Sequence, residues 1–481
     1  MKRVLEASAK AIRLKSHRHS GTEELVGFLG QLMEERGFQV SQQKVYHSLE
    51  DVSPRQYNLI GVLGDPLVDR KTRKGLMLLT HLDTVGPGLV SNWSRTFRDP
   101  YRALATEEEV VGLGAVDAKC DFISKIFIGG RFREARLKEP LYLVGTCGGE
   151  LDWMGARYLL ESNVLNPKWI VIHHPSRLQI VKCTPASSAL HLQIEFATLI
   201  RDTRGFNRRV LLRSFGRTAH AAFSQLGRNA LYELIELLRV TRDNGFEFRL
   251  RSLQGGGIES QVPDLADAEV YFSSHQFEDF KRFFREYLSQ TGSEGLFDLE
   301  LGGMGEAGLG FTPLEAVESV FRLQDWTAEQ QGLLTEGETL WMRQLKINDD
   351  RLDFHFEIIS PSESRVAQIF SDLESSLTGI MRDYPRLGFK ASKEALLNEY
   401  AHDPELTQLA TEVLQRMDLP GDLEESLVPS EAGLFQKAGY PVIAMGPGEV
   451  EHIHAPNERV DYSEIKTSAA FVQKLIEKLC L

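Results

Sequence analysis

Gly75-Leu76-Met77-Leu78-Leu79-Thr80-His81-Leu82-Asp83-Thr84-Val85 is the stretch from which the fold can be read. Its apolar run is short for a helix, so it reads as a buried strand closing on His-x-Asp. Open α/β sheets present their functional groups beyond the carboxyl ends of their strands, which is where His81 and Asp83 then fall. Imidazole is a good zinc ligand, and a carboxylate two residues on can fix its tautomer. A strand-end His-x-Asp taken alone is more often structural, so the neighbouring segments have to decide.

Working outward, Tyr57 to Gly64, Leu141 to Gly145 and Trp169 to His174 read as further buried strands, while Asp121 to Leu137 and Trp153 to Ser162 read as helices. That alternation predicts an α/β sheet with helices on both faces. From about Ser187 the texture becomes α+β: a strand Leu190 to Phe196, a helix Asn229 to Val240, a Gly255-Gly256-Gly257 turn between strands, and a helix Phe277 to Leu288. Near His402 the α/β texture resumes, with a strand Pro441 to Met445. The expected organisation is a split domain, 1–185 with 400–481, interrupted by a lid, 186–399. Within the lid, Ile258 to Leu288 is echoed by Leu352 to Leu377, with a Gly- and Glu-rich stretch, Gly292 to Glu338, between them.

The chain has 481 residues, 42% of them apolar, and a net charge of −13. An acidic balance argues against nucleic acid or an anionic membrane as the main partner, which leaves a small molecule or short peptide. No apolar run reaches the roughly 20 residues of a membrane helix, and the first residues lack the apolar core of a signal peptide. Cys120, Cys147, Cys183 and Cys480 are scattered and read as reduced thiols of a cytoplasmic protein.

Two further motifs lie at expected strand ends. In Gly112-Leu113-Gly114-Ala115-Val116-Asp117-Ala118-Lys119, the glycines permit close backbone approach and Asp117 offers two oxygens able to bridge two metals. Near the C-terminus, Gly446-Pro447-Gly448 precedes His452-Ile453-His454-Ala455-Pro456-Asn457-Glu458, a histidine in a Pro-containing loop just past a strand.

In order, spacing and placement these motifs resemble the two-zinc family of acetylornithine deacetylase, carboxypeptidases and aminoacyl-histidine dipeptidase. The resemblance implies a zinc-peptidase-like, mostly parallel sheet sandwiched by helices, with an inserted α+β lid. It also implies one or two zinc ions, or other divalent metals, with His81 on one ion, Asp117 bridging, and His454 on the other. The family's adjacent glutamates, a base and then a ligand, stand five residues before a Gly-Ala pair. Here Gly155-Ala156 places Glu150 as the ligand and Gly149 where the base should be. The acid that precedes a proline in the family is His174 in His173-His174-Pro175, the fifth candidate ligand. A cis peptide is implied directly after Asp117.

By the same resemblance, His220 would stabilise the oxyanion, with capping of a loop helix as its plainer reading. Asp83 would support His81, and Glu431 matches a substrate-contacting acid. The first half looks closest to acetylornithine deacetylase, whereas the lid and Glu431 to Phe435 look more like aminoacyl-histidine dipeptidase. The family's substrate-anchoring asparagine and arginine fall on Ser260 and on Ser273 or Ile359.

A positioned base contributes about 10² to 10⁴ in rate. The sequence therefore leaves two classes open. One is an amide hydrolase acting on an N-acyl amino acid or short peptide, impaired or repurposed, with Asp152 or Glu431 as substitute base. The other is a non-catalytic binding protein that keeps the site. With the pocket otherwise intact, returning glutamate to position 149 is expected to raise hydrolysis by a factor of about 10² or more. A duplicated lid covers its own strand edge, so a monomer is expected over a homodimer.

Overall fold

The computed structural model describes residues 2–46, 55–64, 74–150, 152–196, 199–200, 205–257, 260–304 and 310–481. Two compact units emerge, Met1–Ser187 with Leu397–Leu481, and Ser188–Leu396.

The first unit is built on a nine-stranded sheet whose centre runs Leu141–Thr146, Gly75–His81, Pro167–Ile172, Val442–Ala444, all parallel. Every residue of Gly75–His81 before His81 is buried, as a strand covered on both faces requires. Met77 and Leu79 join a core with Ala156 and Leu159 of helix Met154–Ser162 and with Leu434 and Phe435 of helix Ala432–Lys437. By the period of two, Leu76 and Leu78 face the other side, where helices Cys120–Gly129 and Tyr462–Cys480 pack on the same strand. The strand stops at His81, four residues short of the expected Val85. The expected helix to Leu137 likewise stops at Gly129 and passes into a 3₁₀ turn, Gly130–Phe132.

The second unit is one eight-stranded sheet made of two halves with the same topology. In the first half, strand Phe206–Phe215, helix Ala230–Asp243, strands Phe248–Gly256 and Leu265–Ser273, helix Phe277–Thr291 and strand Phe297–Met304 follow in chain order. Its strands lie side by side as fourth, first, third, second. The other half has the same order, but its first strand, Ala186–Phe196, precedes the whole first half. Its remainder follows: helix Leu314–Gln331, strands Thr339–Ile347 and Arg351–Ser360, helix Glu363–Asp383 and strand Leu387–Leu397. One half is thus inserted inside the other.

The repeat expected from sequence corresponds to the third strand and second helix of each half, although Ile258, the expected start of the first copy, lies outside the described residues. The stretch Gly292 to Glu338 is not a plain spacer, since it holds the fourth strand of one half and the first helix of the other.

The glycine turn needs correcting too. Gly255 and Gly256 continue a strand and oppose Leu345 and Gln344 at the seam where the second strands of the two halves pair. Gly256 has φ +73°, and a Cβ there would stand 1.9 Å from the carbonyl oxygen of Arg343, so the seam closes only on glycine.

Candidate metal centre

Three loops of the first unit bring the candidate ligands together. His81 stands at the end of its strand, in register with Thr146 of the neighbouring strand. Asp117 follows Gly114, whose φ of +82° turns the chain, and the Asp117–Ala118 peptide is cis. The carboxylate of Glu458 accepts the backbone N–H groups of Gly114, Val116 and Asp117 at 2.9, 3.0 and 3.1 Å. Sequence reading missed this clamp, although Glu458 closes the quoted His454 motif. Burial pushes the Glu458 carboxyl up to about 8. His454 itself has left-handed backbone, φ +56°, an uncommon conformation that tends to cluster at functional sites.

Potential ligand atoms of His81, Asp117 and Glu150 all lie within 4.8 Å of one another. Nε2 of His81 is 2.8 Å from Oδ1 of Asp117, while Nε2 of His454 is 2.8 Å from Oε2 of Glu150 and 3.8 Å from Oδ2 of Asp117. Nδ1 of His81 lies 3.2 Å from the backbone carbonyl of Asp83. A carbonyl oxygen only accepts, so that nitrogen carries the hydrogen and Nε2 presents a lone pair to a carboxylate. Two electron-rich atoms that close need a proton or a cation between them.

The electrostatics agree. Burial works against a charged His81, but Asp117 outweighs it and holds the imidazole well above its usual pKa. Burial also opposes ionisation of Asp117, yet His81 and His454 hold its carboxyl well below the usual range. Burial pushes Glu150 up to about 7, against the pull of His454, and Asp117 adds to the rise. Two imidazoles and two buried carboxylates are a donor set that suits zinc and its divalent neighbours.

Asp83 does something other than expected. Its carboxylate, 3.8 Å from Nδ1 of His81, instead accepts the N–H groups of Gly149 and Glu150 at 2.9 and 3.0 Å. It therefore holds the loop carrying Glu150, and the tautomer of His81 is set by the Asp83 backbone. His174 is not drawn into the tight group. Its Nε2 lies 2.8 Å from Oγ of Ser426, and burial together with His173 lowers its pKa to about 4, leaving a neutral ring.

Of the substitute bases, Asp152 has a local job, since its Oδ1 accepts the N–H of Met154 at the start of a helix at 3.1 Å. Glu431 is better placed. It is buried, its two carboxylate oxygens accept from Thr146 Oγ1 at 3.2 and 3.1 Å, and burial lifts its carboxyl to about 7 against the pull of His81.

In the other unit, His220 caps the 3₁₀ helix Ala221–Leu226, its Nδ1 accepting the N–H of Ala222 at 3.0 Å. Ser260 donates to Oε1 of Glu357 at 2.5 Å. Ser273 and Ile359 are buried.

Comparison with known proteins bears on this centre. The family model described as peptidase family M20/M25/M40 matches residues 77–478. Acetylornithine deacetylase of Pectobacterium carotovorum is 30% identical over 205 residues, 42% of this chain and 48% of that protein. The chain spans less than half the length of the curated relatives it matches. Among solved structures, human carnosine dipeptidase 1 superposes with TM-score 0.60 at 14% identity, covering 99% of this chain and 96% of that one. The M20 family metallo-carboxypeptidase of Sulfolobus solfataricus gives 0.56 at 13%, with 99% of each chain covered. At such identities the structures speak for the fold, a sheet-and-helix domain of the same kind. The family match covers most of the sequence, including every candidate ligand: the chain belongs to peptidase family M20/M25/M40.

Proposed function

We propose that the chain is a metal-dependent amidohydrolase acting on N-acyl amino acids or short peptides, with turnover held down because Gly149 offers no carboxylate. The observation that carries this reading is the convergence of His81, Asp117, Glu150 and His454, with imidazole nitrogens facing carboxylate oxygens at 2.8 Å in two pairs. Zinc, or another divalent ion, bound there would polarise the scissile carbonyl and acidify the attacking water.

The chain's own groups then divide the remaining work. Asp83 fixes the loop of Glu150, Glu458 fixes that of Asp117, and Glu431, close enough to His81 and Asp117 to feel their charge, receives the proton. An acid lifted to about 7 suits that role, because a general base works best near the operating pH. A small-molecule or short-peptide ligand, a monomeric state and a cytoplasmic location complete the proposal. All four cysteines are free, as a reducing compartment would keep them. Among the described residues no helix is long and apolar enough to cross a membrane.

Gly149 also favours a second reading, a pseudoenzyme that binds metal, a ligand or a partner protein without turning substrate over. Metal analysis of the purified protein, combined with an amidase screen across N-acyl amino acids and dipeptides, separates the two. Bound metal with turnover supports the first, bound metal without it the second, and failure to bind any divalent metal defeats the first.

A further inference from the structure

A side chain at position 149 would run directly into His81. A Cβ built on Gly149 would stand 2.6 Å from Cβ of His81, 2.7 Å from its Cγ and 3.1 Å from its Nδ1. Carbon atoms pack at about 3.5 to 4.0 Å, so this is a clash rather than a tight fit. A long side chain could swing its tip away, but the Cβ of His81 is held by a backbone in register with Thr146, and the same strand is paired on its other side with Pro167–Ile172 as far as Leu79.

The loop is pinned as well. Gly149 and Glu150 donate to the Asp83 carboxylate, Trp153 donates to the carbonyl of Gly148 at 2.7 Å, and Gly155 donates to that of Cys147 at 2.9 Å. Gly149 is not among the residues with positive φ, so what the position demands is space and not an unusual backbone.

We infer that Gly149 is a positioning residue for His81 and Glu150: its bare backbone lets the loop close against His81, and the site is packed around the missing side chain. The inference rests on reading His81 and Glu150 as metal ligands, while the packing beneath it stands without that reading. A glutamate returned to position 149 has no room, which reverses the gain expected from sequence. The family's base and this chain's arrangement of His81 are alternatives, and one substitution does not convert one into the other.

The test is made on the full-length protein with zinc alone as the probe. Gly149→Ala is expected to weaken zinc binding, measured by calorimetry, by about tenfold or more, the usual cost of disturbing groups that orient a ligand. Gly149→Glu is expected to bind zinc no better than Gly149→Ala and to gain no hydrolysis. A double-mutant cycle on the denaturant stability of the metal-free protein reads the packing directly. The cost of Gly149→Ala should be large beside His81 and largely vanish in a His81→Gly background, which lacks the opposing Cβ. Additive costs in that cycle overturn the inference, as does a Gly149→Glu protein that keeps zinc affinity and gains activity. If the wild type takes up no zinc, the functional reading fails, and the metal-free cycle still decides this one.

Discussion

Nδ1 of His173 lies 3.3 Å from Oδ2 of Asp121, while Nε2 of the same ring lies 3.0 Å from the carbonyl oxygen of Val116. The carbonyl only accepts, so Nε2 carries the hydrogen, and the ring lies between Asp121 and the peptide just before Asp117. The same Oδ2 takes Lys125 Nζ at 2.6 Å and Thr80 Oγ1 at 3.0 Å, and Lys125 also donates to Thr80 Oγ1 at 2.9 Å. Asp121, Lys125 and Thr80 are buried.

Burial opposes ionisation of Asp121, but Lys125 and His173 outweigh it and hold the carboxyl well below the usual range. Removing one partner leaves a buried charge uncompensated. Lys125→Met is expected to cost about 3 to 5 kcal/mol in denaturant stability, and Lys125→Met with Asp121→Leu to recover much of it. The midpoints of urea unfolding for the single and double variants check this.

Glu458 sets a pH dependence of opposite sense to the usual carboxylate. Its folded pKa, about 8, lies above the ordinary 4.5, so between those values the folded state holds the proton more tightly than the unfolded one. Its contribution to metal-free stability is present below the unfolded value and is lost as pH rises through the folded one. Thermal midpoints measured across that window should fall with pH, less steeply in Glu458→Gln.

Glu431 makes a kinetic prediction. A base that must be ionised, with a pKa of about 7, gives a rate that rises with pH through that value. In Glu431→Gln the rising limb should disappear and kcat/KM should fall by about 10² to 10⁴. A pH–rate profile of both proteins on the best substrate from the screen is the measurement, and an unchanged limb would assign the proton elsewhere.

Zinc should stabilise the folded chain through His81 and Asp117. At 100 times the dissociation constant, a ligand selective for the native state adds about 2.7 kcal/mol. Chelation is therefore expected to lower Tm in the wild type and to leave it nearly unchanged in His81→Ala and Asp117→Asn, read by calorimetric scans with and without chelator.

The strand Gly75–His81 and the motif around Asp117 were legible because their signals are local: an apolar run, a polar stop, and glycines at a turn. Gly149 was recognisable as a departure, but its packing was not, because the contact with His81 joins residues far apart in sequence on different strand ends. The network of Asp121 was missed for the same reason, although Asp121 and Lys125 stand one turn apart on a largely apolar helix, Cys120–Gly129, where a charge pair calls for explanation. The lid repeat was visible as strand followed by helix. Its nesting was not, because periodicity reports which residues face inward and not which strands pair.

That nesting bears on the order of assembly during synthesis. Strand Ala186–Phe196 emerges before either of its sheet neighbours, Arg351–Ser360 and Leu387–Leu397, exists, and the entire inserted half is made in between. At ribosomal speeds of about 5 to 20 residues per second, the strand waits on the order of 10 to 30 s with its alternating apolar face uncovered. The inserted half, continuous in sequence, can close during that interval and offer Phe248–Gly256 as the template on which Thr339–Ile347 docks. The late half then grows outward from that template, and the strand of this sheet that left the ribosome first is among the last to find its place.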